Sequence, residues 1–234
     1  MFLNGLWKKE WDVSVGNSVA MNEEATNSCL GWEEMAARVP FPRLELLCAM
    51  DATWGIGRNG ALPWHIPKEF KYYIRLSKKQ EDPNKPNVAI FGRKTWDSLC
   101  ALKLEPMAKC INVIISRNMD PSEIAKYKDV YVCRSLEGAI EMLKTPQFKD
   151  NIGRVWVHGG SDIYKEAMKS DHFYRLYLSK IHKSYECDVF FPKFDETKLE
   201  EVEDPDALQG LQEDKGVQFQ VHVYQTKGEC ALLP

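Results

Sequence analysis

The stretch RVWVHGGSDIYKEAMK, Arg154 to Lys169, decides the fold. A short apolar run passes through two glycines into a helical segment, which reads as a buried strand followed directly by a helix. The same step occurs upstream, where NVAIF (87–91) leads into GRKTWDSL and VYVC (130–133) leads into SLEGAIEML, with the strand-like INVIIS (111–116) between them. Near the start, Leu44 to Met50 is a further apolar run, bounded by Pro42 and Asp51. Strands alternating with helices predict an α/β sheet covered on both faces. The last third differs: FYRLYLSKI, DVFF and VQFQVHVYQ carry no helix between them, and Phe219, Val221 and Val223 alternate with polar residues. These predict antiparallel strands. The expected fold is therefore α/β, with a mixed, mainly parallel central sheet, helices on both faces and an antiparallel C-terminal edge.

At 234 residues the chain suits one domain. We expect a flexible extension over 1–42, whose tryptophans Trp7, Trp11 and Trp32 are the feature that would let it dock instead; a domain over 43–228; and a tail over 229–234. A net charge of −3 supplies no general attraction to nucleic acid or to an acidic membrane, so neither is expected as a partner. The seven cysteines are scattered without a C-x-x-C pair, which fits reduced thiols rather than disulfides or zinc, and the five histidines lack ligand spacing, so no metal is expected. No run approaches the roughly 18 apolar residues that span a bilayer. The first 42 residues have the pattern of neither a signal nor a transit peptide. The expected location is the cytoplasm, and the expected state is a monomer.

Two strand-to-helix turns and a pair of neighbouring strand ends have the makings of anion sites. In FGRKTW, Gly92 is followed by Arg93, Lys94 and Thr95, which offer cations, a hydroxyl and the free N–H groups of a helix start. In HGGSDIY, Gly159 and Gly160 remove side chains where a helix begins, so that a ligand can approach the backbone. Ser116-Arg117 and Arg134-Ser135 end neighbouring strands with an arginine and a hydroxyl. Each alone reads equally as a solvated helix start or a plain turn. No G-x-G-x-x-G that opens a helix follows the first strand, since GIGRNG (55–60) runs on into ALPW, so a standard dinucleotide site is unsupported. The segment TWGIGRNGALPW (53–64) reads as an exposed loop, and beyond it LPWHIPKEF predicts a helix beginning at Pro67 with Glu69 in its first turn. A carboxylate there satisfies the helix dipole, and it is also the shape of acceptor that a planar amidine-like edge requires.

Taken in order, LLCAM, WGIGRNGALPW, Glu69 five residues after Trp64, FGRKTW, INVIISR, VWVHGGSDIYKEAM, LSKI and CDVFFP resemble the dihydrofolate reductases, of the animal, single-function type, from about Arg43 to Thr226. The resemblance implies NADPH-dependent reduction of dihydrofolate or a related dihydropterin, and binding of antifolates. It makes Glu69 the active-site carboxylate, Ser179 its supporting hydroxyl and Trp64 the residue that orders a water. It places Leu47, Cys48, Leu62, Phe70, Tyr73, Leu99, His158 and Tyr164 at the substrate. It places Ala49, Ile56, Gly57, Gly60, Gly92, Arg93, Lys94, Thr95, Ser116, Arg117, Arg134, Gly159, Gly160, Ser161, Asp162 and Ile163 around the cofactor. Within these, Trp54 to Leu62 resembles a mobile covering loop, and Gly159-Gly160 the family's double glycine, usually joined by a cis peptide.

The departures concern the far end of the substrate. Cys110 stands where the family has an arginine that clamps the substrate's α-carboxylate, and Glu105 where a basic residue is usual. Lys71 and Arg75 are candidates to compensate. His158 replaces an aliphatic residue and Tyr73 a phenylalanine. Two readings follow: a reductase with weakened recognition of the glutamate tail, and a reductase-like NADPH-binding protein with little turnover and a regulatory role.

Overall fold

Alternation along Leu44–Met50 makes it a strand with two buried faces: Leu44, Leu46, Cys48 and Met50 join one apolar cluster, and Leu47 joins another. This strand, β1, is the centre of the molecule, whose structure is a computed structural model describing residues 39–227 and 231–232. Ten further strands follow: β2 (Gly55–Gly57), β3 (Asn87–Gly92), β4 (Cys110–Ile115), β5 (Val130–Cys133), β6 (Val155–Val157), β7 (Phe173–Ile181), β8 (Val189–Phe190), β9 (Leu199–Glu201), β10 (Leu211–Asp214) and β11 (Val217–Thr226). Four α-helices are described: α1 (Pro67–Lys78), α2 (Arg93–Leu102), α3 (Leu136–Leu143) and α4 (Ser161–Lys169).

The main sheet runs β10-β11-β7-β1-β6-β3-β4-β5, with β9 also on β11. The strands from β7 to β5 are parallel, and β11 joins antiparallel to β7, as the sequence implied. Helices α3 and α4 cover the face carrying Leu44, Leu46, Val88 and Ile90, while α1 and α2 cover the face carrying Leu47, Ala89, Phe91 and Trp156. Because the chain runs outward from β1 through β3, β4 and β5 and then returns to insert β6 between β1 and β3, the strand order reverses there. Ligands of such sheets sit outside the carboxyl ends of the strands at this point. Pro67 opens α1 as expected, and the free N–H of Lys68 donates to the carboxylate of Asp214, 2.7 Å away.

The sequence reading missed β2, β9 and β10, each only three or four residues long, and the strand it read in DVFF, β8, pairs with β2 in a separate ribbon instead of closing the main sheet. Strands that short carry no periodicity. Residues 1–38, which hold the three tryptophans of the expected extension, lie outside the described residues, as do 228–230 and 233–234. Next to them Val39 is buried against Tyr174, Ala231 is fully buried, and the Ala231 carbonyl accepts a hydrogen bond from the Asp195 amide at 2.7 Å. The domain therefore packs somewhat beyond the expected limits of 43 and 228. Across the sheet centre, buried Glu45 forks onto Arg154, whose guanidinium also reaches the Tyr177 hydroxyl.

Candidate active site

Helix α1 supplies one wall. Its first turn carries Glu69, 4% exposed, whose Oε1 accepts a 2.8 Å hydrogen bond from Ser179 Oγ on β7. Burial raises the carboxyl to about 7, against the lowering effect of the Ser179 hydroxyl. A carboxyl balanced at neutrality in an apolar wall can hold or yield a proton. Its one charge-stabilising partner predicts that Ser179→Ala will push the Glu69 titration further up. That shift is to be read from the pH profile, with a rate change smaller than about tenfold because one hydrogen bond contributes about 1 kcal/mol.

Trp64, also 4% exposed, leans on Tyr185 at 5.5 Å, and its buried Nε1 has no hydrogen-bond partner among the described residues. An N–H left so calls for a water or a ligand. Phe70 stacks on Tyr73 at 6.2 Å, Leu99 packs with Tyr73 in the cluster that also holds Cys110, and Leu62 stays exposed. Tyr164, on α4, reaches through to donate to the Leu47 carbonyl at 2.7 Å, and it lies beside Cys48, whose thiol burial pushes up. Of the substrate residues expected from sequence, Phe70 and His158 meet Tyr73, and Tyr164 meets Leu47 and Cys48 on β1, while Leu62 makes none of these contacts.

The glycine turns also meet. The Gly92 amide donates to the Gly159 carbonyl at 2.6 Å, and a Cβ on Gly92 would lie 3.2–3.4 Å from Ile163, Gly160 and Gly159. Gly159 and Gly160 are joined by a cis peptide. Thr95 Oγ1 lies 3.6 Å from where a Gly160 Cβ would be, so β3 with α2 and β6 with α4 present one side-chain-free cradle. At Gly159 φ is +96°, and an added Cβ would stand 2.8 Å from the Tyr164 ring. Gly159→Ala should cost about 1–2 kcal/mol from backbone strain alone, checked by denaturant unfolding. Ser161 Oγ donates to the Phe190 carbonyl at 2.6 Å, Asp162 is exposed in the first turn of α4, and Ala49 and Ile56 are partly buried against the clusters on either side of β1.

The expected phosphate cations are partly committed. Arg93 forks onto Asp97 and Glu123. Arg134 Nη1 donates to the carbonyls of Ser116, Arg117 and Met119 and so shapes the turn between β4 and β5 rather than pointing free, while Ser116 Oγ caps the Met119 amide. Lys94 and Arg117 are exposed. Gly57 pairs with Val189 in a two-stranded ribbon, and a Cβ added at Gly60 (φ +74°) would lie 3.6 Å from Ser98 Oγ on α2.

Two contributors escaped the sequence reading. Asp51, 1% exposed, accepts from Thr53 N, Thr53 Oγ1 and Gly55 N with one oxygen and from Tyr185 N and Cys187 Sγ with the other, so it fixes the root of the loop. A lone aspartate after a strand gave no sign of this. At the far end, Cys110 is buried with Sγ 3.8 Å from the Ser77 carbonyl, and burial pushes its thiol up to about 12, so it is neutral. Arg75 lies over Tyr72 and donates to the Asp206 carbonyl, and Lys71 and Lys109 are exposed. The cation whose charge Cys110 feels is Lys78, in the last turn of α1.

Comparison with known proteins matches residues 43–226 to the family model described as dihydrofolate reductase. The chain is 38% identical over 183 residues to a dihydrofolate reductase of Aedes albopictus, covering 78% of this chain and 97% of that one. It is 35% identical over 187 residues to that of Rattus norvegicus, covering 79% and 97%. The solved structure of Schistosoma mansoni dihydrofolate reductase superposes with a TM-score of 0.69 at 32% identity, covering 79% of this chain and 98% of that one.

Proposed function

The chain belongs to the dihydrofolate reductase family, and from that premise we propose that it reduces 7,8-dihydrofolate to 5,6,7,8-tetrahydrofolate with NADPH, as a cytoplasmic monomer. The observation that carries this reading is Glu69: a buried carboxyl poised near neutrality and bonded to Ser179, five residues after Trp64, whose buried N–H has no partner among the described residues.

Glu69 receives the amidine-like edge of the pterin and keeps a proton available for the substrate ring, with Trp64 Nε1 orienting the water that carries it. Phe70, Tyr73, Leu99 and Tyr164 exclude solvent around the ring, which holds the reacting carbon in one orientation. NADPH, when bound, supplies the hydride. The residues fit that group: the Gly92, Gly159 and Gly160 cradle admits a chain of phosphates to backbone N–H groups at two helix starts, with Arg93, Lys94 and Thr95 at its side. Arg117 and Ser116, in the turn that Arg134 shapes, would hold the 2′-phosphate. Inhibitors carrying a 2,4-diamino edge would use the same Glu69 fork.

Neutral Cys110 removes the clamp on the α-carboxylate, so affinity for the glutamate tail is weakened. NADPH oxidation, followed with dihydrofolate and with a dihydropterin lacking the tail, tests the whole reading. Turnover of both, with a KM for dihydrofolate little better than for the tail-less substrate, is the expected result. Cofactor binding without turnover of either overturns it in favour of a binding protein.

A further inference from the structure

The turn that follows β4 carries acids as well as the groups expected at a 2′-phosphate. It runs from Ser116 and Arg117 to the short 3-10 helix Pro121–Ile124, where Asp120 and Glu123 cap each other. The Asp120 carboxylate accepts from Ser122 N at 2.8 Å, and Glu123 Oε1 accepts from Asp120 N at 3.0 Å. Glu123 is thereby fixed at the edge of the turn. From the first turn of α2, beside the glycine cradle, Arg93 reaches across to it, with Nη1 3.2 Å from Oε1 and Nη2 2.9 Å from Oε2. The remaining nitrogen, Nε, lies 2.8 and 2.9 Å from the two oxygens of Asp97, one turn further along α2. Every nitrogen of the guanidinium thus donates to a carboxylate, and the hydrogen bond from Arg93 holds Glu123 below the usual carboxylate range, so it stays ionised.

A planar fork of this kind is how an arginine receives a phosphate. Two carboxylates already occupy it here, so a phosphate that took Arg93 would have to break one fork and sit beside the anion it displaced. Arg134 is also engaged, spending Nη1 on the carbonyls of Ser116, Arg117 and Met119. Of Arg93, Lys94, Arg117 and Arg134, only Lys94 and Arg117 have side chains that make no hydrogen bond or ion pair among the described residues, and both are exposed. An acid at the ribose favours a free 2′-hydroxyl, whereas an uncommitted arginine favours a 2′-phosphate. This turn holds both.

We propose that Asp97 and Glu123 are positioning residues that withhold Arg93 from the cofactor, so that this chain discriminates weakly between NADPH and NADH and accepts either as hydride donor. The inference deepens the reductase reading and rests on it, in particular on a cofactor whose 2′-phosphate meets the turn at Ser116-Arg117. Exposure sets its size: the side chains of Arg93, Asp97 and Glu123 are 37%, 51% and 42% exposed, and ion pairs at such positions are screened by solvent and salt. Releasing Arg93 from both partners should therefore change the ratio of affinities by about three- to thirtyfold.

Dissociation constants of the full chain without substrate, from the quenching of tryptophan fluorescence, test this. Native protein should bind NADPH less than about thirtyfold more tightly than NADH, the contribution of about one charged hydrogen bond. Asp97→Asn/Glu123→Gln should widen that ratio by about three- to thirtyfold, through tighter NADPH with NADH little changed. Glutamine at 123 still accepts from the Asp120 amide, which keeps the turn. Adding Arg93→Gln to the double variant should remove the gain, an outcome that a change in turn shape or stability does not predict. The ratio between adenosine 2′,5′-bisphosphate and adenosine 5′-monophosphate, which differ by the 2′-phosphate alone, should widen in parallel. A native preference above about thirtyfold, a ratio unchanged in the double variant, or a gain that survives Arg93→Gln overturns the proposal alone. Failure of native protein to bind either dinucleotide overturns the reductase reading with it.

Discussion

Replacing Glu69 by glutamine is expected to lower the rate of dihydrofolate reduction by about 10²- to 10⁴-fold, the range for removing a positioned acid or base. Glutamine keeps the shape and can still accept from Ser179 Oγ, but it cannot hold the exchangeable proton. With the carboxyl raised to about 7, native activity should fall as pH rises through neutrality, while the glutamine variant's residual activity stays flat there. Stability gives an independent reading. The folded-state pKa lies above the ordinary value of 4.5, so the protonated carboxyl favours folding. That advantage is fully present below about pH 4.5 and is lost as pH rises through about 7, a total of about 3 kcal/mol at 1.36 kcal/mol per unit. Native protein should therefore lose stability between pH 5 and 8 relative to Glu69→Gln, as followed by urea unfolding. A variant whose rate and pH dependence match native protein would remove Glu69 from the chemistry.

Cys110→Arg is expected to lower the KM for dihydrofolate by about ten- to a hundredfold, because a charged hydrogen bond contributes about 1.5–3 kcal/mol. The rate at saturation should change little, since the tail lies far from the reacting carbon. The tail-less dihydropterin should be unaffected in both parameters. That contrast separates a restored clamp from a general change in the cleft, and a melting curve controls for the larger side chain at a buried position. An unchanged KM for dihydrofolate would mean that the tail is already held by other groups.

The large elements were legible because their burial is written as periodicity. β1, β4, β7 and β11 carry enough apolar or alternating residues to read directly, and Pro67 marked the start of α1. Glu69 stood out as the acidic residue beside a tryptophan and a glycine loop, and the structure gives it the buried setting that its chemistry requires. What was not legible depends on side chains brought together from far apart. Tyr73 and His158 were read as two separate replacements, yet the helix register and the end of β6 make them one hydrogen-bonded pair. Arg134 was read as a phosphate ligand from its place after a strand, whereas three carbonyls of the preceding turn hold its guanidinium. Lys78 follows from the direction in which α1 delivers its last turn, which no local pattern states.

The place of β1 has a consequence for the chain during synthesis. It is the first strand of the domain and lies at the centre of the sheet, but both of its neighbours, β6 and β7, are encoded near the other end. About 130 residues separate the end of β1 from the end of β7, which at 5–20 residues per second is roughly 7–26 s of translation. Until β6 is made LELLCAM has two open edges and two apolar faces, and one edge stays open until β7 follows, a segment ready to pair with whatever strand it meets. The same delay applies to Glu69, whose partner Ser179 lies 110 residues downstream. A ribosome-bound chain that stops short of β7 therefore lacks both the second neighbour of β1 and the partner of Glu69.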